Sequence, residues 1–247
     1  SPAVSLSWRP FSESTLRIRA SYKDIFRVPT FTDLYYLRMG NTNLKPEETS
    51  QYNVGVTWSS SCGDWLRHFS ISADGYYNTV KDKIVALPTM YVWKMMNMGE
   101  VDIKGVDVNL STQFRLPLRM SLFLASTYSF QYAVDVTDPE AKNYKDQIPY
   151  TPRHSGTVSV TLENPWVNVS YILTAVGDRY ALPQNIDRNR IDSYIEQSIS
   201  INRDFRFRYF GLRLQGELLN LTNVNYDVIQ YYPMPGRSWR LSVCLSY

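Results

Sequence analysis

Few residues of this 247-residue chain have the types and spacing that bond chemistry needs. His68 and His154 are its two histidines, and neither stands in a spacing that suggests a metal site or a catalytic triad. Asp135, Asp138 and Glu140 fall close together and offer oxygen ligands to Ca²⁺. The stretch lacks the glycine and terminal glutamate of an EF-hand loop, so it reads as a solvated acidic loop. Cys62 and Cys244 show no metal-ligand or redox spacing and read as unpaired small residues. Asn168-Val-Ser and Asn220-Leu-Thr match the glycosylation pattern. The expectation is no catalytic residue, no metal and no cofactor. Binding is better supplied. Phe31, Tyr35 and Tyr36 fall in one long connection, Tyr91 and Trp93 in a second, and Tyr226, Tyr231 and Tyr232 in a third. Aromatics combine large contact area, low entropy cost and a polar tip, which suits a pocket for a bulky amphipathic ligand.

Composition narrows the partners. Basic and acidic residues, 26 against 23 for a formal charge of +3, are spread along the chain. No basic stripe tracks a phosphate backbone, so nucleic acid is not expected as a partner. Aromatics reach 14%, with 19 Tyr, which suits strands and interfacial belts. No run approaches the roughly 18 apolar residues of a membrane helix. A barrel is still open, because it spans with short alternating segments.

The elements that must carry the aromatic connections alternate with period two. In the closing stretch Trp239, Leu241, Val243, Leu245 and Tyr247 share one parity, and Ser238, Arg240, Ser242, Cys244 and Ser246 the other. Val4, Leu6 and Trp8 repeat the pattern, as do Leu16, Ile18, Ala20 and Tyr22 against Arg17, Arg19 and Lys23. Tyr52 to Trp58, Met120 to Phe130, Gly156 to Leu162, Val167 to Leu173, Ile195 to Ile201 and Phe210 to Leu218 continue it. Connections alternate too: short near 10–14, 59–65, 115–118, 163–165 and 203–207, long over 25–47, 79–92, 133–151, 178–190 and 222–236. That predicts about eleven antiparallel strands with all long loops at one end. One strand changes phase, since Val101 and Ile103 are odd while Val106, Val108 and Leu110 are even. A β-bulge at Lys104-Gly105 would account for the slip. A soluble all-β module such as a lectin-like sandwich remains the alternative to a membrane barrel at this point.

Three blocks carry a family resemblance. Phe26-Arg-Val-Pro-Thr-Phe-Thr-Asp-Leu-Tyr-Tyr36 is followed by Gly40-Asn-Thr-Asn-Leu-Lys-Pro-Glu47. Asn97-Met-Gly-Glu-Val-Asp-Ile-Lys-Gly-Val-Asp107 is the second. Leu218-Leu-Asn-Leu-Thr-Asn-Val-Asn-Tyr226 with Tyr232-Pro-Met-Pro-Gly-Arg237 is the third. In this order they resemble TonB-dependent outer-membrane receptors, with Thr42 where proline is common and Asp107 where glutamate is common. The resemblance implies an all-β, transmembrane antiparallel up-and-down β-barrel of about 22 strands, plugged by an N-terminal domain. Residues 1–247 would be its C-terminal half, a fragment or processed piece, with the plug and the TonB-binding segment outside the chain. It implies TonB as partner, outer-membrane lipid as surroundings, and active import of an iron-siderophore or cobalamin. A passive channel is the runner-up. The resemblance also makes the last strand an assembly signal for the barrel insertion machinery. Arg240, Leu245 and Tyr247 fill its polar, apolar and aromatic positions, with Ser242 in place of the usual glycine.

Overall fold

A computed structural model describes residues 1–11, 14–89 and 91–246. The strands are β1 (Ala3–Trp8), β2 (Arg17–Arg27), β3 (Glu47–Cys62), β4 (Leu66–Pro88), β5 (Trp93–Leu116), β6 (Met120–Asp135), β7 (His154–Glu163) and β8 (Asn168–Val176). Then follow β9 (Arg179–Tyr180), β10 (Arg190–Ile191), β11 (Tyr194–Arg206), β12 (Gly211–Leu219), β13 (Asp227–Ile229), β14 (Tyr232–Pro233) and β15 (Ser238–Ser246). A short helix, α1 (Phe31–Tyr35), lies between β2 and β3. The expected assembly-signal residue Tyr247 lies outside the described residues, as do positions 12 and 13 of the first predicted turn.

Eleven strands form one antiparallel sheet in the order β1-β2-β3-β4-β5-β6-β7-β8-β11-β12-β15. Every neighbour in space is therefore the next long strand in sequence. The pairs β9–β10 and β13–β14 are separate ribbons inside two of the long connections. Register keeps the two faces apart from strand to strand. Leu162, Val169, Ile201, Gly216 and Leu241 lie abreast across β7, β8, β11, β12 and β15 on the apolar face. On the other face Asp204 pairs with Arg213 at 2.6 Å, and Glu217 pairs with Arg240. Arg19 reaches Asp74 at 3.0 Å across the intervening β3. Gly55 of β3 permits that reach, because a Cβ there would occupy the position of the Asp74 carboxylate.

Aromatic rings mark two levels on the apolar face. Tyr22, Tyr52 and Tyr77 follow one another across β2, β3 and β4, with centroids 5.0 and 6.4 Å apart. At the short-turn end Trp58 meets Phe69 at 5.3 Å, Trp65 meets Phe114 at 5.6 Å, and Phe207 meets Phe210 at 4.6 Å. Tyr52 and Trp58 are six residues apart on one strand, about 20 Å of path, on the scale of the apolar band of an outer-membrane barrel.

Two expectations about β4 and β5 need correction. Residues 79–92 do not form a long loop: β4 continues to Pro88 and β5 begins at Trp93, so the pair is a hairpin of 23 and 24 residues with a tight connection. Nor is there a bulge at Lys104-Gly105. Tyr77, Tyr76 and Gly75 face Lys104, Gly105 and Val106 in unbroken register. The phase change has a different cause. Val101 and Ile103 lie on the same face as Asp107, and above the polar wall that face is covered by the 136–153 connection. They are buried there with Val80, Met98, Ala133 and Ile148. An apolar core beyond the aromatic levels reverses which parity is greasy, and Gly105 leaves room for the Tyr76 ring.

Candidate ligand-binding site at the loop end

The three sequence blocks turn out to fasten loops. Thr30 caps α1, its hydroxyl accepting from the Asp33 amide at 3.2 Å while the Asp33 carboxylate accepts from the Thr30 amide at 2.9 Å. Arg27 bridges Asp33 at 3.2 Å and Glu47 at 3.5 Å, and Glu47 also accepts from the Ile84 amide at 3.1 Å. Burial pushes the Asp33 carboxyl up, but the Thr30 amide and hydroxyl and the Arg27 guanidinium outweigh it and hold it below its usual value. Asn97 accepts from the Lys45 amide at 2.8 Å and donates to the Lys45 and Asp82 carbonyls at 3.1 and 2.6 Å. Asn220, in the left-handed region at φ 50°, donates to the Val224 carbonyl at 2.8 Å and accepts from the Val224 amide at 2.8 Å. Asn223 accepts from the Arg237 amide at 2.8 Å.

These clamps leave a cleft of about 880 Å³ between the tip of the β4–β5 hairpin and the β6–β7, β8–β11 and β12–β15 connections. Four of the eight aromatic residues singled out in the long connections line it: Tyr91, Trp93, Tyr231 and Tyr232. Phe31, Tyr35 and Tyr36 lie on or beside α1, exposed and outside the lining, with the Phe31 and Tyr35 rings 4.8 Å apart. Tyr91 and Tyr231 are 91% and 81% exposed, so their rings are free to be covered by a ligand. Trp93 is backed by Tyr150, centroids 5.8 Å apart. Burial raises the Tyr150 hydroxyl above its usual value. Arg188 is the one charged side chain among the described lining residues.

The cleft floor has its own support, which sequence reasoning did not anticipate. Arg179 is 3% exposed and donates to the Asp227 and Val228 carbonyls, the latter at 3.2 Å, holding the β13–β14 ribbon. Its guanidinium lies 5.5 Å from the Tyr194 ring, and Tyr194 stacks on Tyr226 at 4.0 Å. The Tyr226 hydroxyl donates to Glu196 at 2.7 Å. Burial first, then that hydrogen bond and charge, push the hydroxyl far above its usual value, so it stays a donor. At the ribbon tip Asp227 accepts from the Tyr231 amide at 2.9 Å, with Tyr231 at φ 67°. Tyr150 is also left-handed, at φ 58°. Such a conformation costs a non-glycine residue about 1–2 kcal/mol; these two tyrosines are among nine non-glycine residues at positive φ in the described residues.

The remaining candidates disperse. Asp135 is occupied by Thr137, at 2.9 Å from the amide and 2.5 Å from the hydroxyl, and by Asn143 at 2.9 Å, while Asp138 accepts from the Glu140 amide at 3.0 Å. His154 bonds the Tyr128 hydroxyl at 2.8 Å at the loop end of β7, and His68 sits on β4 near the short turn. Cys62 and Cys244 are free and exposed. Leu245 is exposed on the apolar face, and Arg240 is engaged with Glu217.

Comparison with known proteins gives a consistent result. A family model described as "TonB dependent receptor-like, beta-barrel" matches residues 1–221. The vitamin B12 transporter BtuB of Photobacterium profundum is 25% identical over 236 residues, covering 92% of this chain and 34% of that protein. The chain thus spans about a third of the length of this curated relative. Among solved structures, the copper transporter OprC superposes with a TM-score of 0.72 at 16% identity, over 99% of this chain and 39% of that one. The ferric preacinetobactin receptor BauA of Acinetobacter baumannii does so with a TM-score of 0.72 at 14% identity, over 99% and 36%.

Proposed function

The chain belongs to the TonB-dependent receptor β-barrel family, whose members are outer-membrane proteins, and on that premise we propose that it supplies the C-terminal wall and binding loops of an active importer. The cargo is a scarce, bulky nutrient of the iron-siderophore or cobalamin class. The observation that carries this reading is the aromatic cleft built from four separate connections at one end of the sheet. A cleft of this size suits a compact chelate or corrinoid better than a single hydrated ion. Its exposed tyrosines supply area, and Arg188 supplies attraction for an anionic cargo. The free energy for passage comes from TonB acting on the receptor's plug, and the barrel insertion machinery recognises the closing strand.

Uptake and binding by the full-length protein test the proposal. Cells dependent on it are expected to grow under iron or cobalamin limitation only when TonB is present. Tyr91→Ala, Tyr231→Ala and Tyr232→Ala are each expected to weaken cargo binding about fivefold to thirtyfold, the range for truncating a buried aromatic anchor. Alanine at Phe31, Tyr35 or Tyr36 is expected to weaken it less. TonB-independent uptake that does not saturate would replace this reading with a passive channel.

A further inference from the structure

The apolar face carries a feature that cargo transport does not use. Between Ile201 of β11 and Leu241 of β15, the residue abreast on β12 is Gly216. Neither sterics nor backbone geometry asks for glycine there: a Cβ would meet nothing within 4 Å, and the residue is not left-handed. Its missing side chain leaves an apolar trough of about 620 Å³ walled by Ile199, Ile201, Leu214, Leu218, Trp239 and Leu241.

The short-turn end of this trough is cationic. Arg203 lies abreast of Leu214 on the same face, with its guanidinium 4.9 Å from the Phe205 ring. The adjacent carboxylate cannot neutralise it, because Asp204 belongs to the opposite face and is held twice by Arg213, at 2.6 and 3.0 Å. Arg208 in the following turn rests 5.4 Å from the Tyr209 ring. Neither Arg203 nor Arg208 has an ion pair among the described residues. A lipid-facing arginine is costly in hydrocarbon but stable where its head reaches the interface. From the level of Arg203 to that of Trp239 is four residues, about 13 Å along the strand. With strands tilted by about 40° that is roughly 10 Å along the membrane normal, within one leaflet of a hydrocarbon core about 30 Å thick.

We propose that this trough is a binding site for one anionic glycerophospholipid of the periplasmic leaflet, an acyl chain lying over Gly216 and the phosphate on Arg203. Charge complementarity selects the occupant: two unneutralised guanidinium groups favour a headgroup with net negative charge over a zwitterionic one.

The test uses the full-length receptor in nanodiscs of phosphatidylethanolamine with a minor fraction of phosphatidylglycerol, followed by native mass spectrometry after stepwise delipidation. The wild type is expected to keep one phosphatidylglycerol. Gly216→Leu fills the trough without changing charge, and Arg203→Gln removes the cation without filling it. Arg203→Gln is expected to lower the retained fraction about fivefold, the equivalent of one basic group against an anionic surface, and Gly216→Leu to lower it by excluding the acyl chain from the trough. Val54→Leu, on the same face at β3, is expected to leave retention unchanged. Heat-resistant migration on gels reports folding of each variant, with Gly216→Val as the smaller filler if leucine disturbs the barrel. Equal retention of the two lipids, or retention untouched by both filling and charge removal, would overturn the site and leave only shell lipid.

Discussion

Arg179 is the residue on which the shape of the cleft depends most. Replacing it by glutamine removes the charged donor of two part-buried hydrogen bonds to the Asp227 and Val228 carbonyls, a cost of about 1–3 kcal/mol. The expected outcome is a loosened β13–β14 ribbon, seen as faster proteolysis within 220–237 and as cargo affinity lowered about tenfold if the ribbon loses that order of energy. Barrel stability should stay unchanged. Normal protection of the ribbon in the variant would show that Arg179 does not hold it. Little of this was legible in the sequence. Tyr91, Trp93, Tyr231 and Tyr232 stood out because aromatics in long connections are conspicuous by type. Arg179, Tyr150 and Arg188 did not, since their roles come from loops that converge only in three dimensions. One local signal was present for Tyr150: it lies in Ile148-Pro-Tyr-Thr-Pro152, whose two prolines stiffen the connection.

Among the elements, α1 and its clamp give a pH-dependent prediction. The Asp33 carboxyl titrates below its usual value near 3.8. Its contribution is therefore fully present above that value and is lost as pH falls through the lower folded value. Hydrogen exchange across 28–46, taken relative to the free-chain rate at each pH, is expected to be slow at pH 7 and to rise below about pH 3.8, while relative exchange in β11 and β12 stays slow. Thr30→Ala, which removes the cap, should reproduce part of that rise at pH 7 at a cost of about 1 kcal/mol. Relative exchange in this segment that is flat from pH 7 to pH 2 would rule out the clamp. The long hairpin gives a second prediction. Ile148→Ala opens a void beside Val101 and Ile103 and is expected to cost about 2–5 kcal/mol locally. Exchange should then speed up in 136–153 but not between the aromatic levels. The same core explains why period-two reading misplaced a bulge in β5. Alternation reports which side of a strand is apolar, and that side changes where a strand leaves lipid and meets a loop.

The whole sheet was the most legible level, because eleven strands with alternating connection lengths are written in local periodicity. Its two edges carry a prediction. β1 and β15 each have one strand neighbour in the eleven-stranded sheet, and their free rows of peptide groups cannot be left in hydrocarbon. The 247 residues refolded alone in detergent are expected to give no heat-resistant monomer, whereas the receptor with all its strands should give one. A cooperative, reversible unfolding transition of the isolated segment would contradict this. The strictly sequential order of the strands also bears on how such a molecule can change over generations. Each crossing reverses the side on which the chain emerges, so losing or gaining a single strand would carry every later connection to the opposite side. Removal of β8 alone, for example, would place Tyr231 and Tyr232 among the short turns. Viable insertions and deletions must therefore come in pairs of strands, and the hairpin is the smallest heritable unit of this wall.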